Sequence, residues 1–321
     1  MKAIVQDRYG TADVLRLDEV AVPEPGDGEV VIKVHAAALD TGYVHLMTGL
    51  PYLLRLFGFG VRAPKGRLRA DGAGRVEAVG SGVTGIKPGD EVFGTFEGGL
   101  AEYAVARHDK IARKPAGIGF EQAAAVTISG VTALHGVRAG RVSAGQNVLV
   151  IGAGGGVGSF MVQVAKEYGG AVTAVCGPDK ADLVTRLGAD RVIDYTREDV
   201  TRSGVRYDVI LDIAGNRPVS RLRRILAPRG TLVLVGGEGG GRLIGGMHRS
   251  AGAALLSPFL AQRLVMLVIK EQPADLPALA ELIEAGRLTP VVGRTYPLTD
   301  AADAVRHLAA GHAEGKIVIL P

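Results

Sequence analysis

Asn147-Val-Leu-Val-Ile-Gly-Ala-Gly-Gly-Gly-Val-Gly-Ser-Phe-Met-Val-Gln-Val-Ala-Lys166 is the stretch on which the fold turns. Its apolar run, 148–151, predicts a strand buried on both faces. A glycine cluster follows, and then Val157, Met161, Val164 and Ala165 recur at helical spacing. Strand, glycine turn and helix together form a dinucleotide-binding unit. The glycines let the chain turn tightly and approach a pyrophosphate, and the helix N-terminus offers unpaired N–H groups and the positive end of its dipole. On this reading Gly152, Gly154, Gly155, Gly156 and Val157 face the phosphates. A plain flexible loop satisfies the same letters, and 47 glycines make chance matches common. The elements on either side favour the nucleotide reading.

Those elements alternate. Strands are expected at 147–151, 171–176, 191–194, 209–213 and 230–235, with helices at 156–168, 178–187 and 218–226. Such alternation is the mark of a doubly wound parallel sheet. Right-handed crossovers bring the strand ends at Ile151, Cys176, Ile213 and Val235 to one edge, where ligands of such sheets sit.

Residues 1–125 read differently. Short strands at 2–6, 14–19, 29–38, 75–79, 91–95 and 101–106 are separated by Gly/Pro turns, which suggests a compact β-barrel. A short helix is expected between Asp40 and Gly49. Two helices, 121–128 and 131–139, are expected to break at Ser129-Gly130. Residues 242–270 are rich in apolar side chains and read as a buried or interface helix pair. A lipophilic substrate wall or a weak membrane contact is the alternative. Helices at 276–285 and 299–310 follow, and the closing strand 315–320 is expected to pack with the first domain. The domains are thus 1–122 with 289–321, and 123–288.

Composition sets the outer limits. The chain has 321 residues, long enough for two domains, with 47% hydrophobic and 22% charged residues, as in an ordinary soluble enzyme. One cysteine, Cys176, leaves no disulfide framework and no cysteine-rich zinc site. It suits a reducing cytoplasm. The net charge of +4 is spread along the chain without a long basic run or interleaved aromatics, so nucleic acid is not an expected partner. No run of apolar residues is long enough for a membrane span, and the first residues read as a strand rather than a signal peptide.

The second strand of the nucleotide unit ends at Val175-Cys176-Gly177 without the carboxylate that an NAD site uses on its ribose. Its absence removes a repulsion against a 2′-phosphate. Lys180 is within reach of that phosphate, and Tyr195 adds a hydroxyl. Asp179 reads as a first-turn acid, and Lys180 reads equally as an exposed helix lysine. The expected cofactor is therefore NADPH.

Several stretches now carry a resemblance: Asp71-Gly-Ala-Gly-Arg-Val-Glu-Ala-Val-Gly80, Ile86-Lys-Pro-Gly-Asp-Glu-Val-Phe-Gly94, the glycine loop, Leu187-Gly-Ala-Asp190, Val192-Ile-Asp-Tyr195 and Gly311-His-Ala-Glu-Gly-Lys-Ile-Val318. Over essentially its whole length the chain resembles the medium-chain dehydrogenase/reductase superfamily, and more narrowly its zinc-free quinone oxidoreductase branch. The resemblance implies an α/β fold of a GroES-like β-barrel domain plus a Rossmann domain. Where zinc-dependent members place cysteine and histidine ligands, this chain has Leu39-Asp-Thr-Gly-Tyr43 and Arg69-Ala70-Asp71. The histidines elsewhere show no ligand spacing, so no metal is expected and the acceptor must already be activated: a quinone or an α,β-unsaturated carbonyl. A biosynthetic enoyl or enone reductase, and a nucleotide-binding protein without catalysis, are the alternatives.

The resemblance also implies site residues, in the cleft between the domains. Tyr52 is expected as proton donor or carbonyl anchor, with Tyr43 second. Asp40 either holds a proton or caps the following helix. Phe57 and Phe59 either stack on the acceptor or pack in the core. Thr127, Thr132, Ile213, Ala214, Val235, Gly236, Gly237 and Lys316 are expected to touch the coenzyme, although the 212–215 turn reads equally as structural. Relatives dimerise by edge-strand pairing, which points to a homodimer through the strand near 230–235 or the 242–270 region.

Overall fold

A computed structural model describes residues 1–56, 60–64, 68–237, 241–311 and 313–321. Phe57, Phe59 and His312 lie outside the described residues. The chain divides into two compact units: residues 1–129, 271–286 and 290–321, and residues 130–270 with 287–289.

In the first unit β1 (Lys2–Val5) pairs antiparallel with β2 (Arg16–Glu19). The main sheet follows: β3 (Glu29–Leu39), the helix α1 (Thr41–Thr48), β4 (Arg69–Val79), β5 (Glu91–Glu97), β6 (Tyr103–Arg107) and β7 (Ile111–Arg113). β3 pairs with both β4 and β6, and β5 also pairs with both, so these strands close on themselves as a barrel. Their inward residues, among them Val30, Ile32, Val76, Val92, Phe96 and Ala104, form one apolar core. α2 (Phe120–Ala124) and α3 (Thr127–Gly140) come next.

Here the helix boundaries depart from the sequence expectation. The break falls at Ala125-Val126, and α3 runs unbroken through Ser129-Gly130. The reason is long-range. Val126 has no side chain able to cap a helix; Asp71 Oδ2, from β4, instead accepts the Ile128 N–H at 2.9 Å.

In the second unit every strand pairing is parallel. The strands are β8 (Asn147–Ile151), β9 (Ala171–Cys176), β10 (Arg191–Asp194), β11 (Tyr207–Asp212), β12 (Leu226–Leu234) and β13 (Arg263–Met266), in the order β10-β9-β8-β11-β12-β13. Strand order reverses between β8 and β11, the switch point of a doubly wound sheet. Residues 148–151 are fully buried, as their apolar run requires. The helices are α4 (Gly156–Glu167), α5 (Ala181–Arg186), α6 (Val219–Arg224) and α7 (Met247–Leu256).

Two expectations are corrected in this unit. Residues 264–269 are not the second helix of a pair: Leu264 to Met266 belong to β13, at the sheet edge. Their β-branched and unbranched apolar side chains suit either state, and pairing with β12 decides it. β12 is longer than read, taking in Leu226, and it is flanked by β11 and β13. The strand around 230–235 therefore has no free edge for a second chain.

The chain then returns to the first unit with α8 (Asp275–Glu284), β14 (Val292–Pro297), α9 (Ala301–Ala309) and β15 (Lys316–Leu320). β15 pairs with β3 and β14, as expected of the closing strand. The division places residues 271–286 with the barrel, where alternation had assigned them to the nucleotide domain. Glu271 reaches Thr95 (3.4 Å) and Lys110 (3.4 Å), and Glu284 accepts the Ala116 N–H. Among the described residues no helix is long and apolar enough to cross a membrane.

Candidate functional site

The carboxyl edge of the parallel sheet is built by a repeated device. Val175 O accepts the N–H groups of both Gly152 and Ala153; Ile151 O accepts those of Ile213 and Ala214; Asp212 O accepts those of Val235 and Gly236. Each turn is thereby laid across the end of its neighbour. Gly152, Ile213, Ala214, Val235 and Gly236 come together in one strip, as read from the sequence, and Gly237 continues it.

Within that strip the glycine loop leads into α4, whose N-cap, Gly155, has no side chain to occupy the first-turn N–H groups. Those groups have no acceptor inside the helix. Gly158 lets α4 approach the strand end: a Cβ there would stand 2.1 Å from Gly152 O. This cradle, open to an anion and closed to side chains, fits a dinucleotide pyrophosphate.

Beside it stands Lys180. Its stem crosses Gly154 so closely that a Cβ on that glycine would lie 2.6 Å from Lys180 Cδ. Tyr195 Oη lies 3.6 Å from where a Cβ of Gly177 would be, so both polar groups expected around a 2′-phosphate flank the end of β9. One finding corrects the expected absence of a carboxylate there: Asp179 Oδ1 folds back to within 2.6 Å of the same Gly177 position. The tip therefore carries an acid, a lysine and a tyrosine together. Cys176, the last residue of β9, is buried, and burial pushes its thiol up to about 11, so it is no nucleophile near neutrality.

A buried pair missed by the sequence reading holds the β11 turn. Asp212, fully buried, accepts the Gly215 N–H through Oδ1 (3.2 Å) and pairs with the Arg249 guanidinium of α7 through Oδ2. Arg249 Nε also donates to Arg217 O. The only local signal was an arginine at the start of an apolar helix. Thr132, on the part of α3 within this unit, is buried.

A separate concavity of about 560 Å³ lies at the opposite edge, before β11 and β13, lined by Arg206, Ser220, Arg223, Arg224, Pro228, Ala261 and Gln262. It has no part in the strip described above.

In the first unit the expected residues separate into two groups. Asp40 caps α1, accepting the Tyr43 N–H through Oδ1 (3.0 Å), so its helix-cap reading holds. Tyr43 is only 4% exposed, and burial pushes its phenol well above the usual tyrosine range. Tyr52 is 39% exposed, with the Arg55 guanidinium 4.7 Å over its ring. Arg55 itself is fixed by Gly49 O and Thr48 O. Of the two tyrosines, Tyr52 is the one exposed to solvent.

The second group surrounds Asp71. Lys316 Nζ lies 3.6 Å from Asp71 Oδ2, and both residues are buried. Burial raises the Asp71 carboxyl most; Lys316 opposes this, Asp40 and Glu271 add to it, and the Ile128 N–H lowers it. The balance leaves it at about 7. Thr127 Oγ1 and Ser129 Oγ, either side of Ile128, are buried with no hydrogen-bond partner among the described residues. Among those residues, too, no group of three or more His, Cys, Asp or Glu is placed to hold a metal ion. Several histidines serve local structure: His45 donates to Leu50 O, and His35 stacks on Phe120.

Comparison with known proteins bears on this geometry. Residues 26–116 match the alcohol dehydrogenase GroES-like domain, and residues 187–319 match the zinc-binding dehydrogenase domain. A chloroplastic quinone oxidoreductase of Triphysaria versicolor is 35% identical, covering 100% of this chain and 98% of its own length. The NADPH-dependent alkenal/one oxidoreductase of Arabidopsis thaliana is 32% identical over 100% of this chain and 80% of its own. Among solved structures, the quinone oxidoreductase of Escherichia coli complexed with NADPH superposes with a TM-score of 0.83 at 25% identity, covering 100% of both chains.

Proposed function

The chain belongs to the medium-chain dehydrogenase/reductase superfamily, in its quinone oxidoreductase-like branch, and from that premise we propose that it is an NADPH-dependent reductase of quinones and α,β-unsaturated carbonyls. The observation that supports this is the stem of Lys180 lying across Gly154 of the glycine loop, at the end of β9.

In this reading the α4 N-terminus and the glycine loop hold the pyrophosphate, while Lys180 and Tyr195 hold the 2′-phosphate. Asp179 tempers the preference, so NADH is used more weakly rather than refused. The turns at Ile213-Ala214 and 235–237 form the bed of the coenzyme, together with Thr127 and Thr132. NADPH, when bound, supplies the hydride. Tyr52 supplies a proton to the acceptor oxygen, and the Arg55 guanidinium over its ring keeps it oriented. The zinc-free character rests on the residues at the ligand positions: Asp40 is spent on capping α1, and Asp71 on Ile128 and Lys316. A conjugated acceptor suits such a site because its own carbonyl carries the developing charge.

Reduction of a carbon–carbon double bond is favoured as the second activity by the similarity to the Arabidopsis alkenal/one oxidoreductase. A homodimer belongs to the same reading, with β13 rather than β12 as the paired edge. The test is steady-state NADPH and NADH consumption with a panel of quinones and enones, for the wild type and Lys180→Ala. The NADPH preference should fall by about tenfold in the variant. An unchanged preference removes Lys180 from the site. No turnover with any acceptor, despite coenzyme binding, favours a binding role instead.

A further inference from the structure

Lys316 is among the most deeply buried charged side chains of the barrel unit, at 2% exposure, and its Nζ has no hydrogen-bond partner among the described residues. Among the described residues its one ion-pair partner is the Asp71 carboxylate, 3.6 Å away. A buried ammonium with so little compensation is costly, and a hydrocarbon chain of similar volume would fill the same space. The lysine needs a reason beyond packing.

That reason lies one step further along the chain of contacts. Asp71 Oδ2 holds the Ile128 N–H, and this bond starts α3 where no local residue can cap it. Thr127, the first residue of α3, has a buried hydroxyl with no partner among the described residues, and so does Ser129. β15, β4 and α3 are thus linked by one ammonium, one carboxylate and one N–H. The link ends beside two hydroxyls that have hydrogen-bonding capacity to spare.

We propose that Lys316 is a positioning residue for hydride transfer: by pairing with Asp71 it holds the first turn of α3, and with it the Thr127 hydroxyl, in place for the reactive end of the coenzyme. This rests on the coenzyme reading above, and it gives Lys316 a role through Asp71 rather than direct contact with NADPH. The charged groups facing Asp71 are Lys316 from β15, Asp40 from the end of β3 and Glu271 ahead of α8. Two of the three are acids, so Lys316 alone among them favours the carboxylate. Below about pH 7 Asp71 gains its proton, the ion pair is lost, and the grip on Ile128 slackens. Removing Lys316 moves that protonation to higher pH.

The test uses the full-length protein and the pH dependence of kcat/KM for NADPH at saturating quinone. The wild type should show an acid limb near pH 7. Lys316→Met should shift this limb to higher pH by at least about one unit, so that activity at pH 7 falls about fivefold or more. Lys316→Arg, which keeps the charge, should return the limb most of the way. If Lys316→Met does not fold, the double variant Asp71→Asn/Lys316→Met decides. It carries no ionisable pair but retains an oxygen for Ile128, and its acid limb should vanish. A wild-type limb in either variant, with only thermal stability changed, overturns the proposal. Direct NADPH titration of the wild type keeps the two readings apart. A wild type that does not bind NADPH defeats the coenzyme reading, whereas binding with an unmoved limb defeats the role of Lys316 alone.

Discussion

The stem of Lys180 lies across the α-carbon of Gly154: a methyl group on that glycine would stand 2.7 Å from Lys180 Cβ and 2.6 Å from Cδ. The two residues belong to successive strand-to-helix turns, β8 to α4 and β9 to α5. In the proposed reading one turn holds the pyrophosphate and the other chooses between coenzymes, so a change in either should be felt by both. Gly154→Ala should push Lys180 aside and raise the KM for NADPH about tenfold, with a smaller effect on NADH. The ratio of the two KM values, compared with wild type, checks this.

Gly158 faces backbone rather than a side chain. A Cβ at that position would meet Gly152 O at 2.1 Å and the Ala153 carbonyl carbon at 2.7 Å, and neither can rotate away. Gly158→Ala should therefore force α4 off the end of β8 and cost about 1–3 kcal/mol of stability. Urea denaturation followed by far-UV circular dichroism measures this, and NADPH affinity should fall in parallel.

Asp212 and Arg249 form the buried pair that fixes the turn after β11. Removing one partner leaves the other charge uncompensated, so Arg249→Met should destabilise by about 3–5 kcal/mol. The double variant Asp212→Asn/Arg249→Met should recover much of that loss, because no lone charge remains buried. Thermal unfolding of these two variants and of Asp212→Asn against wild type forms the cycle.

The two tyrosines of the 40–56 segment should separate cleanly. Tyr52 is 39% exposed and Tyr43 4%. Tyr52→Phe should lower kcat by about a hundredfold if it is the proton donor. Tyr43→Phe should act on stability and leave kcat nearly unchanged. Steady-state kinetics with an enone and with a quinone read both variants.

Much of the parallel-sheet unit was legible because its signals are local. Buried strands there are short apolar runs, and the glycine loop has to sit between β8 and α4 for α4 to pack. Tyr195 and Lys180 could be placed at the tip of β9 by counting residues from strand ends. What escaped was set by partners far away in sequence. The start of α3 depends on Asp71, more than fifty positions upstream, so the glycine at 130 looked like a break when it is an interior helix residue. Leu264 to Met266 have the composition of helix or strand, and the edge of β12 decides between them. Asp179 read correctly as a first-turn acid, but the turn of the chain brings its carboxylate back over Gly177, which no spacing rule anticipates. Asp40 shows the opposite case. Its residue type and position before a helix already offered the cap as one of two readings, and the cap is what the fold uses.

The central claim is hydride delivery from NADPH to a conjugated acceptor, and isotope transfer tests it most directly. The enzyme is given NADPH deuterated at both C4 positions of the reduced nicotinamide, with an α,β-unsaturated ketone as acceptor, and the product is analysed by mass spectrometry and NMR. The account predicts a saturated ketone carrying a single non-exchangeable deuterium on the carbon β to the carbonyl. An unlabelled product, or coenzyme that binds but is never consumed with any quinone or enone, would contradict it.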